Sequence, residues 1–116
     1  MGKSILRDKS YDFALKIVKL SQVLVSEKKE FVLSKQLLRS GTAIGALIRE
    51  AEFAQSKADF IHKMSISLKE GNETLYWLEL LNDSDLIAEV EFDSHHNNCK
   101  ELVAMLVSSI KTSKGK

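Results

Sequence analysis

Proline is missing from all 116 residues, cysteine occurs once, at Cys99, and glycine only five times. Without proline and with so little glycine, a flexible linker or a sandwich of many tight turns is excluded. A lone cysteine rules out an intramolecular disulfide, which suits a reducing compartment. No apolar run reaches membrane length: the longest uncharged one, residues 40–48, falls far short of the roughly 20 residues a span needs. The opening MGKSILRDKS has no apolar stretch of signal-peptide length. The expected location is the cytoplasm, with no membrane partner.

What is present is ordinary for a soluble globular chain: 44% hydrophobic and 28% charged residues. The length suits one domain, residues 1–116. The net charge of +1 conceals an asymmetry. Residues 1–69 carry 13 Lys/Arg against 7 Asp/Glu, and residues 70–116 carry 4 against 9. A basic half beside an acidic half fits a surface that complements the next copy of itself, a nucleic-acid footprint, or a merely solvated surface.

Four stretches show helical periodicity, at about 10–26, 30–55, 57–82 and 89–112, with a disordered tail at 113–116. The first has Phe13, Ala14, Ile17, Val18, Ser21 and Leu24 on one stripe, and the second Leu33, Leu37, Ser40, Ile44, Leu47, Ile48 and Ala51. Ser56 reads as an N-cap with Asp59 three residues on, and Asn82-Asp83-Ser84-Asp85 as a break. The last stripe holds Phe92, His96, Cys99, Leu102, Val103, Leu106 and Ile110. Short connections between long helices predict an all-α chain, an antiparallel up-down-up-down four-helix bundle.

Two features exceed a generic bundle. Gly41 and Gly45, among Ser40, Ala43 and Ala46, strip bulk from the second helix, and a mid-helix Gly costs about 1 kcal/mol relative to Ala. A close helix approach there is expected. In the third helix, Phe60, Met64, Leu68, Gly71, Leu75 and Leu78 share the face assigned to the core. Ile66, Trp77 and Leu80 fall on the far side, beside Glu70 and Glu73, and predict a self-association surface.

Candidate chemistry is thin. Asp59-x-x-His62 and Asp93-x-x-His96 imitate the Glu-x-x-His of di-iron bundles, but with the shorter Asp and without an inward carboxylate on the first helix. His95 or His96 with Cys99 gives too few ligands for zinc. No nucleophile has a base beside it in a known motif, and the glycines sit mid-helix rather than in a phosphate-cradling loop. No catalytic residue, metal site or cofactor is predicted, and the chain is read as not an enzyme. Antiparallel register sets Arg39 near Glu73, and Glu50 near His62 or Lys63, as interhelix polar pairs.

The run from Gln36 to Gly45 (QLLRSGTAIG), then Glu50-Ala51, Ala54 to Ile61 (AQSKADFI), Lys69-Glu70, Glu73-Thr74 and Tyr76-Trp77-Leu78 resembles the 23S rRNA-intervening-sequence protein family, or four-helix bundle proteins. The resemblance extends from about Phe13 to Leu106. One departure is Leu47, where the family pattern usually has Asn after Gly-Ala. The resemblance implies a four-helix bundle that assembles as a ring-shaped homopentamer, with no assigned molecular function. Some members are encoded within insertions in bacterial ribosomal RNA genes. A similar accessory protein of diversity-generating retroelements is a basic pentamer that binds nucleic acid and its reverse transcriptase. The expected function is therefore a homo-oligomeric scaffold or interaction protein. The alternative is an RNA- or DNA-binding accessory protein, with Arg39, Arg49, Lys57 and Lys63 as its contacts.

Overall fold

Helices form here because four stretches repeat apolar or small side chains at three- and four-residue spacing, with short polar breaks between them. In a computed structural model, which describes residues 2–115 and the side chains of residues 5–115, they are α1 (Gly2–Lys28), α2 (Leu33–Glu52), α3 (Lys57–Asp83) and α4 (Glu89–Lys114). Among the described residues there is no strand. Each connection is short enough that a helix must turn back beside the one before it. α1 and α3 each pack against both α2 and α4. The result is an antiparallel four-helix bundle, 47 × 21 × 20 Å along its principal axes.

Local chemistry sets the ends, and several differ from expectation. α1 starts at Gly2 rather than near residue 10, because Leu6 and Ser10 are both buried and extend its inner stripe without a breaker. It stops where Lys29 takes a φ of 55° and the Glu30 N–H donates to the Leu24 carbonyl at 3.0 Å. Glu30 is not the first residue of α2 but its cap. Its carboxylate accepts from the backbone N–H groups of Val32, Leu33 and Ser34 at 3.2, 3.1 and 2.7 Å. α2 ends at Glu52 rather than residue 55, closed by tight N–H to carbonyl bonds from Phe53 to Glu50 and from Ala54 to Ala51. Ser56 Oγ then accepts from the Asp59 N–H at 3.0 Å and starts α3. At the other terminus Ser113 and Lys114 complete the last turn of α4, so half of the expected tail is helix, and Gly115 follows as a turn; Lys116 lies outside the described residues.

The core face of α3 is also turned from its expected position. Met64, Ser67, Gly71, Thr74, Leu78 and Leu81 are buried, while Phe60, Leu68 and Leu75 flank the core half-buried. Ser67 and Thr74 pass as core residues because each satisfies its hydroxyl. Ser67 Oγ donates to the Ile44 carbonyl at 2.9 Å, and Thr74 lies 2.9 Å from Ser40 Oγ and 2.8 Å from the Glu70 carbonyl. In α4 the buried histidine is His95, with His96 half-buried at the edge.

The expected close approach is present at both glycines of α2. A Cβ on Gly41 would lie 2.9 Å from Ile17 Cγ2, and one on Gly45 would lie 3.2 Å from Ser10 Oγ. Gly71 repeats the device between α3 and α4, where a Cβ would lie 2.9 Å from Val103 Cγ2. Ile17 is fully buried and cannot yield, whereas Val103 is half-buried. Gly41→Ala is therefore expected to lower stability by about 1–2 kcal/mol, overpacking outweighing its better helix propensity. Gly71→Ala should cost less. Urea denaturation of the two variants checks the order, and a Gly41→Ala protein as stable as the parent would contradict the close approach.

Candidate functional site

The polar residues of α2 and α3 meet along the outer edge of their shared seam. Arg39 Nη1 donates to Glu70 Oε1 at 3.2 Å, its Nη2 donates to Glu73 Oε2, and its Nε donates to Gln36 Oε1 at 3.2 Å. The indole Nε1–H of Trp77 donates to the same Glu73 oxygen at 3.0 Å. One guanidinium thus gathers two carboxylates that sit a helical turn apart, and the indole fixes the second of them. About 11 residues along α2, Lys63 Nζ donates to Glu50 Oε1 at 3.1 Å. That hydrogen bond holds the Lys63 ammonium above its usual pKa of 10.5. Glu50 takes Lys63 and not His62, whose side chain is exposed.

Ile66, Trp77 and Leu80 are all half-buried, and Trp77 packs against the core with its ring edge-on to Tyr76 at 4.9 Å between centroids. The turn of α3 that buries Ser67 and Thr74 draws this side of the helix toward α2. The large hydrophobics that are exposed lie elsewhere. Nine of the eleven among the described residues precede Gln55: Ile5, Tyr11, Leu15, Val23, Val25, Phe31, Val32, Leu38 and Phe53. On α1, Tyr11, Leu15 and Val25 share a side at helical spacing. Tyr11 faces α2 in a shallow cleft with Ala14, Thr42, Gly45 and Ala46, and the Arg49 guanidinium stands 5.4 Å from its ring centre.

The groups that chemistry would require are engaged. Asp59 Oδ2 accepts from the Gln55 N–H at 3.4 Å, and Asp93 is exposed. His95 Nδ1 lies 2.7 Å from the Glu91 carbonyl, which can only accept, so Nδ1 carries the proton. His96 Nε2 pairs with Glu79 Oε2 at 2.9 Å. The Cys99 thiol donates to the Gly71 carbonyl at 3.4 Å, and burial pushes its pKa from the usual 9.0 up to about 12. Among the described residues, no group of three or more His, Cys, Asp and Glu side chains is placed to hold a metal ion. No described helix is long and apolar enough to cross a membrane.

A family model of the 23S rRNA-intervening sequence protein matches residues 3–108. The chain belongs to that family. A crystal structure of a protein of unknown function from the S23 ribosomal protein family of Bacteroides thetaiotaomicron superposes with a TM-score of 0.94 at 55% identity. The match covers 96% of this chain and 99% of that one. No curated protein matches the chain. The residues that carry the family likeness are largely those just placed. Ser40, Gly41, Ile44 and Thr74 sit in the close-packed seam, and Arg39, Glu70, Glu73 and Trp77 cover its edge. Leu47, where the family pattern usually has Asn, is half-buried on α2.

Of the four cations proposed to contact nucleic acid, Arg39 and Lys63 are tied to carboxylates and Arg49 stands over Tyr11, leaving Lys57 exposed at the start of α3. Sequence reasoning passed over the Tyr11 and Leu15 face and also Glu52, which lines a cavity at one end of the bundle. A signal for Glu52 was available: it follows Ile48 by four residues and continues an inward stripe with an acid.

The Cys99 geometry has two measurable consequences. Thiol reagents at about pH 8 should label the native chain only as fast as it opens, because the thiolate is scarce and covered. As pH rises above 9.0 toward about 12, the unfolded thiol ionises while the native one keeps its proton, so stability should fall across that window. Cys99→Ala should flatten the decline, as measured by urea denaturation at several pH values.

Proposed function

We propose that this bundle is the subunit of a non-enzymatic homo-oligomeric scaffold, with a closed ring of five favoured. The observation that carries this reading is the crowding of exposed large hydrophobics onto α1, α2 and their connections, with only Tyr76 and Val90 exposed in the second half among the described residues. Where such residues share a side, as Tyr11, Leu15 and Val25 do on α1, exposed apolar surface is a candidate protein contact. A ring closes through a heterologous contact, in which one patch of a subunit meets a different patch of the next. The α1–α2 face supplies the first patch, with Tyr11, Leu15 and Leu38. The flank of α3 beside α2 supplies the second, with half-buried Ile66, Trp77 and Leu80 beside Glu70 and Glu73. The charge asymmetry supports that pairing, because the apolar patch of α1–α2 lies in the basic half and Glu70, Glu73, Trp77 and Leu80 of the α3 patch lie in the acidic half. The nucleic-acid reading has less support, since two of its four cations already hold carboxylate partners.

Light scattering on the purified chain is expected to give a multiple of 13.0 kDa, five being the favoured number. Leu15→Glu combined with Leu38→Glu should reduce the assembly to monomers with unchanged helical circular dichroism. Trp77→Ala should shift it toward smaller species. A parent chain that is monomeric at micromolar concentration overturns the proposal, and steeply salt-dependent binding to RNA would favour the alternative.

A further inference from the structure

The four helices line a partly open cavity of about 370 Å³ at the end of the bundle where α2 turns into α3. Every helix contributes to it. α1 gives Leu6, α2 gives Ile48 and Glu52, α3 gives Phe60 and Met64, and α4 gives Met105 with Ser108 and Ser109. The volume lies within the range of small-molecule pockets, and the lining has their usual character, mostly apolar with few polar groups. Two of the wall residues are methionines, whose unbranched side chains repack around a guest more readily than leucine or isoleucine would.

One wall atom does not fit a plain packing defect. Glu52 Oε2 is shielded from solvent and has no hydrogen-bond partner among the described residues. Its sister oxygen Oε1 faces Arg7 Nη1 at 3.5 Å, a long contact to a guanidinium that is partly in solvent. An ionised carboxylate accepts hydrogen bonds only, and leaving one of its oxygens unmet out of water is costly. Engineered voids lined only by Leu, Ile and Phe lack such a group. The unmet acceptor of Glu52 in a mostly apolar wall points to what would complete the site.

We propose that this cavity binds a small apolar amine, its aryl or alkyl body among Leu6, Phe60, Met64 and Met105 and its ammonium donating to Glu52 Oε2. The ammonium is preferred over a neutral hydroxyl because a bond between two charged partners out of water is the stronger. The Ser108 and Ser109 hydroxyls stand on the α4 side of the same cavity and can take the remaining N–H groups. The site is independent of how copies of the chain assemble, since all its lining comes from one subunit.

The test uses the full chain with methyl-labelled methionine and three probes of one shape: phenethylamine, 2-phenylethanol and ethylbenzene. Saturable shifts of the Met64 and Met105 methyl signals are expected with phenethylamine. The alcohol should bind weaker, on the order of tenfold, and the hydrocarbon weaker still. Glu52→Gln should lower the amine's affinity by roughly tenfold or more and erase its advantage over the alcohol. Met105→Trp, which fills the cavity, should abolish binding of all three while circular dichroism stays unchanged. Unmoved methyl signals overturn the proposal, as do equal affinities for amine and alcohol in the parent chain. An amine affinity that survives Glu52→Gln overturns it as well. Should Glu52→Gln fail to fold, the amine-to-alcohol comparison and Met105→Trp still decide.

Discussion

Everything in this fold hangs on how closely α2 can lie against its neighbours between Ser40 and Ile48. At Gly41 the backbone of α2 meets Ile17 of α1 with no room for another carbon, and at Gly45 it meets Ser10 with little. On its other side the Ile44 carbonyl accepts from Ser67, and Ser40 meets Thr74, both from α3. A helix carbonyl is free for such a bond only if the neighbouring helix comes near enough for a short serine to reach it. Small residues therefore serve two ends here. They admit the neighbour, and their hydroxyls satisfy one another once it arrives, so polar atoms enter the core at little cost. Gly71 and Cys99 extend the same device to α4.

The close seam explains the surface as well. Drawing α3 toward α2 brings the edges of the two helices within reach of long side chains, and Arg39 then spans to Glu70 and Glu73. These pairs are exposed, and exposed ion pairs stabilise little, with a median of about 0–1 kcal/mol. Their consequence is geometric. By holding Glu73, Arg39 also fixes the acceptor of the Trp77 indole, so a large aromatic is presented in one orientation at the flank of α3.

How much of this was legible in the sequence depends on which signal a residue sends. The bundle itself was, because four apolar stripes and short polar breaks admit few other arrangements. The close approach at Gly41 and Gly45 was legible too, since glycine in mid-helix is costly without a neighbour to justify it. The rotation of α3 was not. Ser67 and Thr74 read as surface residues until their partners on α2 are known, and with them misplaced the core stripe shifts toward Leu68 and Leu75. With the stripe so shifted, Trp77 reads as lying on the far side of α3, where the structure has it half-buried, and the exposed Tyr11, Leu15 and Leu38 face goes unnoticed. The early start of α1 was hidden for the same reason, because buried Ser10 interrupts the apolar pattern between Leu6 and Phe13. Glu30 misled through its role, since an acid just before a stripe looks helical whether it joins the helix or caps it.

The distribution of satisfied and unsatisfied polar groups separates two kinds of residue in this protein. Hydroxyls and the thiol of the packed seam have partners, and so do the carboxylates along its edge. Glu52 stands apart, lying beyond the last tight contact of α2 with α1, where the helices end and the packing opens. Glycine and serine keep the helices close at Gly41 and Gly45. Phe60, Met64 and Met105 line the space at the end of the bundle, and the cavity opens where the small residues stop. The seam at Gly41 thus leaves no space for a ligand between α1 and α2, whereas the end where α2 gives way to α3 opens into a cavity lined from all four helices.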